Sequence, residues 1–356
     1  MKIGHIGSYN RNFGDNVAIL NARNEFNKQI KNIEWQSLDI QSNFWNRQNE
    51  IGYTIKLINS FNFDAVLVGG GGLIECAGYE NNSTKFKLPF NKKILTSLNC
   101  PVFFIGLGIN VFRGMEKFTD EAKKALSEVI EFSSCFSLRC DGSIDILKNM
   151  GLYDKSKVQE IPDPGLIYDF EKDKNYELKE LYVQPAFNAS PTINNNRFKG
   201  TKNLEKFLSF VNNHKLQAIS HTPKDFINLK NFKYDRTRVD NLIQFKNTNK
   251  FIKEYMLNDF GISMRGHGQM IPMGLNIPGL YFSTQDKVRD FSLQNGFSDY
   301  NIDISEKDWY EKLNDKYLKM LNDKEYLNNW YNIRNEKIKG WKLRIKQFVG
   351  DCKNAM

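Results

Sequence analysis

An arginine and a histidine two residues apart, Arg265 and His267, follow directly on the short apolar run Ile262-Ser263-Met264. A guanidinium can hold a carboxylate or phosphate through parallel N–H bonds, and an imidazole exchanges protons near neutral pH. The pair suits an anionic ligand whose reaction needs a proton transfer. Similar residues stand at other breaks in the apolar pattern. Arg139 and Asp141 follow the run Cys135–Leu138, Asp163 lies between Pro162 and Pro164, and Ser220-His221 ends the run that begins at Leu216. Asn12, Gly14 and Asp15 lie in and after the loop beyond the first apolar run. Gly69-Gly70-Gly71-Gly72 and Gly106-Leu107-Gly108 each end a hydrophobic run. Glycines there allow close approach to the backbone and expose N–H groups to phosphate or carboxylate. Each feature also has a purely structural reading. The glycines suit tight turns, Asp15 and Asp141 suit helix caps, Arg139 and Asp141 suit an ion pair, Asp163 suits a stiff turn, and His221 suits a packed ring.

These residues matter only if the chain brings strand ends together. The first half alternates apolar strands, at Lys2–Ile6, Glu34–Leu38, Ala65–Val68, Val102–Ile105, Cys135–Leu138 and Val158–Ile161, with helical segments. A helix is expected from Asn16 to about Lys28 with Asp15 as its cap, another over Tyr53–Phe61, another opened by Thr119 or Asp120, and another opened by Asp141. The charged segment Asp169–Lys179 lacks apolar periodicity and marks a boundary. Beyond it the alternation resumes. The strand Leu181–Val183 leads into a polar loop through Asn196, then a helix over Asn203–Asn212 and a strand over Leu216–Ser220. A strand over Leu242–Phe245, a helix capped by Thr248, the strand before Arg265 and the strand Gly279–Phe282 complete the series. The tail from Glu306 is helical. Continuous apolar strands separated by helices imply α/β architecture, with parallel sheets covered on both faces. The expected division is 1–170, 171–320 and a terminal helix over 321–356. Ligands of such sheets bind beyond the carboxyl ends of the strands, where the candidate residues stand.

Composition narrows the function. The 356 residues carry 50 basic and 41 acidic side chains, a net charge of +9 that favours an anionic partner. The 27 Phe and 15 Tyr exclude a disordered chain. Five cysteines without a CxxC argue against a zinc site, and the scattered carboxylates nominate no metal. Neither a GxGxxG nor a GxxxxGK[ST] motif occurs, and no basic-aromatic module for nucleic acid is present. The start of the chain runs straight into a strand pattern without a secretory segment, so a cytoplasmic protein is expected. The stretch Lys337–Lys346 interleaves cations with Trp341, Leu343 and Ile345. It reads either as a packed amphipathic helix or as a peripheral contact with anionic lipid at the inner membrane face.

Taken in order, Asn12-Phe13-Gly14-Asp15, Gly69–Gly72, Gly106-Leu107-Gly108, Ser137–Asp141, Pro162-Asp163-Pro164, Ser220-His221 and Met264–His267 with Gly274 and Pro278 resemble the polysaccharide pyruvyltransferase family. The resemblance implies two Rossmann-like domains of glycosyltransferase B type whose parallel sheets face a cleft that holds the active site, with C-terminal helices crossing back. It implies transfer of the enolpyruvyl carbons of phosphoenolpyruvate to two hydroxyls of a sugar, as a cyclic ketal, with no cofactor beyond that donor. The acceptor is lipid-linked, on a polyprenyl diphosphate, or nucleotide-linked. Arg139, Arg265 and His267 fall on the family's basic catalytic positions, and His221 is a further match. Asn12, Gly14, Asp15, Gly70, Gly71, Gly72, Gly106, Gly108, Asp141 and Asp163 join the substrate-binding set. The chain departs from the family at Gly266, where a bulkier apolar residue is common. The competing readings are a nucleotide-sugar glycosyltransferase on the same architecture and a non-catalytic sugar-phosphate binder at a membrane.

Overall fold

The computed structural model describes residues 1–40, 51–76, 79, 82, 84–111, 118–186, 191–222, 225 and 244–356, leaving aside the side chains of 51–53 and 191–193. The chain divides into two compact units. The first comprises Met1–Tyr9, Ala18–Pro164 and Gly340–Met356, and the second Asn10–Val17 and Gly165–Lys339. The division after Pro164 falls a few residues before the boundary expected from sequence. The short segment Asn10–Val17 belongs with residues far along the chain, and no sequence pattern announces that.

The first unit holds strands β1 (Lys2–Gly7), β2 (Glu34–Asp39), β3 (Ala65–Gly69), β4 (Ile74–Glu75), β5 (Val102–Leu107), β6 (Ile109–Asn110), β7 (Cys135–Arg139) and β8 (Val158–Ile161). Six of them form a parallel sheet in the order β2-β1-β3-β5-β7-β8, and β4 pairs with β6. Every residue of β3 and β5 is buried, as the uninterrupted apolar runs require. The helices Ile51–Ser60, Lys92–Ser97, Asp120–Phe132 and Ser143–Asn149 belong to this unit. Thr119 caps the third of them, its hydroxyl accepting the N–H of Ala122.

The second unit holds β9 (Leu181–Gln184), β10 (Gln217–Ala218), β11 (Phe260–Ser263), β12 (Gly279–Ser283) and β13 (Asn301–Asp303). They form a parallel sheet in the order β10-β9-β11-β12-β13. Both sheets reverse direction of strand addition after their first pair, so each has a topological switch point, between β1 and β3 and between β9 and β11. Such points open a crevice beyond the strand ends. At the second of them Ser263 pairs with Gln184, and Arg265 lies just beyond.

Several elements differ from expectation. The stretch Pro191–Arg197 is a helix rather than a loop. Its asparagines favour turns, but a proline suits the first position of a helix. The helices Lys92–Ser97 and Asp286–Gln294 and the strand β13 carry too little periodicity to have been read. Of the expected strand Leu242–Phe245, residues 242 and 243 lie outside the described residues, and Phe245–Asn247 is a single 3-10 turn. Thr248 is not a cap. It is the first residue of the helix Thr248–Met256, and its hydroxyl donates to the Phe245 carbonyl.

The last helix, Lys324–Asn354, begins in the second unit and ends in the first. Trp341, Ile345 and Phe348 are buried, and Leu343 is exposed. The apolar side of the basic stretch is thus taken up in packing. Among the described residues no helix is long and apolar enough to cross a membrane.

Candidate active site

In the second unit the candidate residues form one cluster. The helix Phe13–Gln29 starts earlier than its sequence suggests, because Asn12 rather than Asp15 acts as the cap, its side-chain oxygen accepting the Gly14 N–H at 2.8 Å. Asp15 therefore lies in the first turn of that helix. The N–H of Phe13 donates to the carbonyl of His221 at 3.0 Å, and its ring stacks on Phe251 at 3.8 Å. This anchoring sets Gly14 and Asp15 against His267. A Cβ on Gly14 would stand 2.3 Å from the Cβ of His267, and Asp15 Oδ1 lies 3.5 Å from His267 Nδ1. A carboxylate beside one ring nitrogen orients an imidazole and leaves the other nitrogen to act on a substrate. Gly14→Ala is therefore expected to displace His267, at a cost of about 1–3 kcal/mol by overpacking, and to lower turnover while leaving substrate affinity nearly unchanged. Steady-state kinetics that show an unchanged kcat would contradict the contact.

Arg265 is fixed on three sides. Its backbone N–H donates to Gln184 Oε1 at 3.0 Å, its Nε to the Pro185 carbonyl at 3.2 Å, and its Nη2 to Asp225 Oδ1 at 2.5 Å. Asp225 is wholly buried, and the Arg265 side chain keeps 21% exposure. The other oxygen of Asp225 accepts the N–H groups of His221 and Thr222. One carboxylate thus sets both the arginine and the turn that carries His221. Gly268 packs on the amide of Gln184, where a Cβ would come within 2.2 Å, so this glycine admits the bracket under Arg265. The departure at Gly266 is accommodated simply. A Cβ there would meet nothing nearer than Lys287 Cε at 3.8 Å, an ordinary contact distance.

His221 is completely buried. Its Nε2 lies 2.6 Å from the Tyr255 hydroxyl. Burial, with Arg265 and His267 nearby, pushes it well below the usual imidazole range, so it is neutral at physiological pH. Burial also raises the Tyr255 phenol well above its ordinary value. His221 is a hydrogen-bonding ring here, while His267 is the imidazole paired with a carboxylate.

In the first unit Arg139, Asp141 and Asp163 form a separate, closed cluster. The guanidinium donates from Nε to Asp141 at 2.5 Å and from Nη1 to Asp163 at 2.8 Å, and all three side chains are buried. Burial opposes its charge, but the two carboxylates outweigh that and raise its pKa. Gly108 lies flat against the guanidinium, where a Cβ would come within 2.4 Å of Nη2. Asp141 is not a helix cap. Gly142, at φ 91°, occupies that position, and Asp141 instead accepts the Ser143 hydroxyl. The glycine rims brace one another. Gly70 and Gly71 take positive φ, Gly108 N–H donates to the Gly71 carbonyl, and Asn110 Nδ2 donates to the Gly72 carbonyl at 2.9 Å. Gly106, also at positive φ, packs on Pro164 and takes the Ser137 hydroxyl oxygen on its N–H. The geometry thus gives Arg139 and these glycines a bracing part in the strand ends. Five cysteines are free thiols, and no metal-binding group of His, Cys, Asp or Glu occurs among the described residues.

A family model described as polysaccharide pyruvyl transferase matches residues 6–286, a span that contains every residue of both clusters. The chain belongs to that family. Among curated proteins the chain has no match. Among solved structures it is similar to a putative UDP-N-acetylglucosamine 2-epimerase from Listeria monocytogenes, with 12% identity, a TM-score of 0.57 and 99% and 95% of the two chains covered. It is similar to the UDP-GlcNAc 2-epimerase from Neisseria meningitidis bound to UDP-GlcNAc, at 12% identity, TM-score 0.54 and coverage of 99% and 100%. The UDP-GlcNAc 2-epimerase from Methanocaldococcus jannaschii gives 16% identity, 0.52, and coverage of 96% and 98%. At these identities the likeness establishes the fold, the glycosyltransferase B type with two Rossmann-like units.

Sequence reasoning missed Asp225, Gln184, Tyr255 and Arg197. Asp225 had a faint signal, an acid four residues after His221 in Ser220-His221-Thr222-Pro223-Lys224-Asp225. The others sit in strand, helix or asparagine-rich surroundings that carry none.

Proposed function

We propose that this enzyme transfers the enolpyruvyl group of phosphoenolpyruvate to two hydroxyls of one sugar, forming a cyclic pyruvate ketal during surface-polysaccharide assembly. The observation that carries this reading is the carboxylate-set arginine and imidazole at the second switch point, Arg265 on Asp225 and His267 beside Asp15, within a chain of this family. Phosphoenolpyruvate has two anionic groups and a methylene carbon that accepts a proton. Arg265 binds an anionic end, and His267 protonates the methylene carbon. Positive charge then develops at C2, and a sugar hydroxyl adds there. The imidazole, having given up its proton, takes the proton of that hydroxyl. A second hydroxyl of the same sugar then bonds to C2 as the C2–O bond to phosphate breaks, its proton passing to the departing phosphate, and fixed cations stabilise that leaving group.

The acceptor is a sugar on a polyprenyl diphosphate or a nucleotide. The solvent-facing lysines of the last helix, Lys339 and Lys346, support contact with an anionic membrane through charge alone, since Trp341, Ile345 and Phe348 are buried in the protein. The test is incubation with phosphoenolpyruvate and lipid-linked or nucleotide-linked hexoses. Phosphate release with a mass gain on the sugar supports the reading. Sugar transfer from a nucleotide sugar, with phosphoenolpyruvate inert, would establish a glycosyltransferase instead.

A further inference from the structure

Arg197 ends the helix Pro191–Arg197. Its Nη1 donates to the Ala186 carbonyl, and its charge interacts with Arg265 and Asp225. Burial and the like charge of Arg265 hold it down at about 10, with Asp225 acting in the opposite sense. The two guanidinium groups hold consecutive carbonyls, Arg265 that of Pro185 and Arg197 that of Ala186, and both charges act on the buried Asp225, whose oxygens already accept Arg265 Nη2 and the N–H groups of His221 and Thr222. The cluster carries an excess of positive charge in a half-buried place, an arrangement that costs free energy until an anion enters. Two further observations point to a ligand. Among the described residues the Ser220 hydroxyl and His221 Nδ1 have no hydrogen-bond partner, although both residues are wholly buried. The helix Gly266–Gly274 opens at Arg265 with no side-chain cap, so its first N–H groups face the same neighbourhood.

We propose that Arg197 and Arg265 together form a binding site for a phosphate group, with Arg197 as the second cation. Resting on the function proposed above, the occupant is the phosphate of the donor. One guanidinium alone serves a monoanion, whereas two serve the dianion of a phosphate ester and the inorganic phosphate that leaves.

The test compares wild type with Arg197→Ala and Arg197→Gln by calorimetry and thermal shift. The probes are inorganic phosphate, phosphoenolpyruvate, uridine diphosphate and pyruvate, the last carrying a carboxylate only. The expected result is that inorganic phosphate and phosphoenolpyruvate bind the wild type and lose about tenfold or more in affinity in either variant. Pyruvate binding changes little. Without ligand the variants melt no lower than wild type, because a like-charge contact has been removed; a merely structural arginine would lower the melting temperature. Unchanged phosphate affinity in a folded variant, or no binding of any phosphate compound to the wild type, overturns the proposal. Uridine diphosphate binding through Arg197, with phosphoenolpyruvate inert, keeps the phosphate site and removes the donor assignment.

Discussion

His267→Gln is expected to lower phosphate release from phosphoenolpyruvate by about 10²–10⁴-fold, the usual contribution of a positioned acid. Glutamine keeps much of the volume and a hydrogen-bonding end but cannot deliver a proton to carbon. His267 is held from two sides, by the backbone of Gly14 and by Asp15 Oδ1 at 3.5 Å, so the expected loss falls on kcat while the affinity for phosphoenolpyruvate persists. Asp15→Asn should have a smaller effect in the same direction, since it alters the orientation of the ring without removing it. Arg265→Ala should show the opposite split, with weakened donor binding as well as slowed turnover, and it removes the Nη2 donor that Asp225 Oδ1 accepts. Circular dichroism and thermal melting separate these effects from misfolding. A folded His267→Gln enzyme with a rate within a few-fold of wild type would remove the imidazole from the chemistry.

Asp163→Ala is expected to cost stability before it costs anything else. Its carboxylate is wholly buried and accepts Arg139 Nη1 at 2.8 Å. Its removal leaves the buried Nη1 donor of Arg139 without that acceptor, while Asp141 still neutralises the guanidinium, and an unsatisfied buried donor costs about 1–3 kcal/mol. Arg139→Ala should be at least as damaging, because two buried carboxylates, Asp141 and Asp163, would then face each other without a cation. Urea unfolding of both variants checks this. If they unfold at the wild-type midpoint and have lost only phosphoenolpyruvate binding, Arg139 is a ligand of the donor and its bracing part is secondary.

The two clusters show what a sequence discloses. Continuous apolar runs such as Ala65–Val68 and Val102–Ile105 gave their strands away, since a parallel sheet buries both faces and every residue of β3 and β5 is buried. The rim residues were legible for the same reason. A run that stops at Arg139 or just before Arg265 marks a strand end, where ligands of open sheets bind. Pairing was not legible. Asp15 and His267 are 252 positions apart in the chain, and their approach depends on the Phe13 anchor over His221 and Phe251, which is a matter of packing. Local chemistry misled at Asp141 and Asp15, both fair helix caps by type, because Gly142 and Asn12 hold those positions. Arg197 was invisible because its charge gains meaning only beside Arg265.

The central claim is that Arg265 and His267 meet phosphoenolpyruvate. A crystal of the enzyme soaked with that donor tests it most directly. The account predicts one anionic end of the ligand on Arg265, with Arg197 beside the phosphate, and the methylene carbon within reach of the His267 ring. Donor density elsewhere, or none at saturating concentration while a nucleotide diphosphate fills the site, would contradict it.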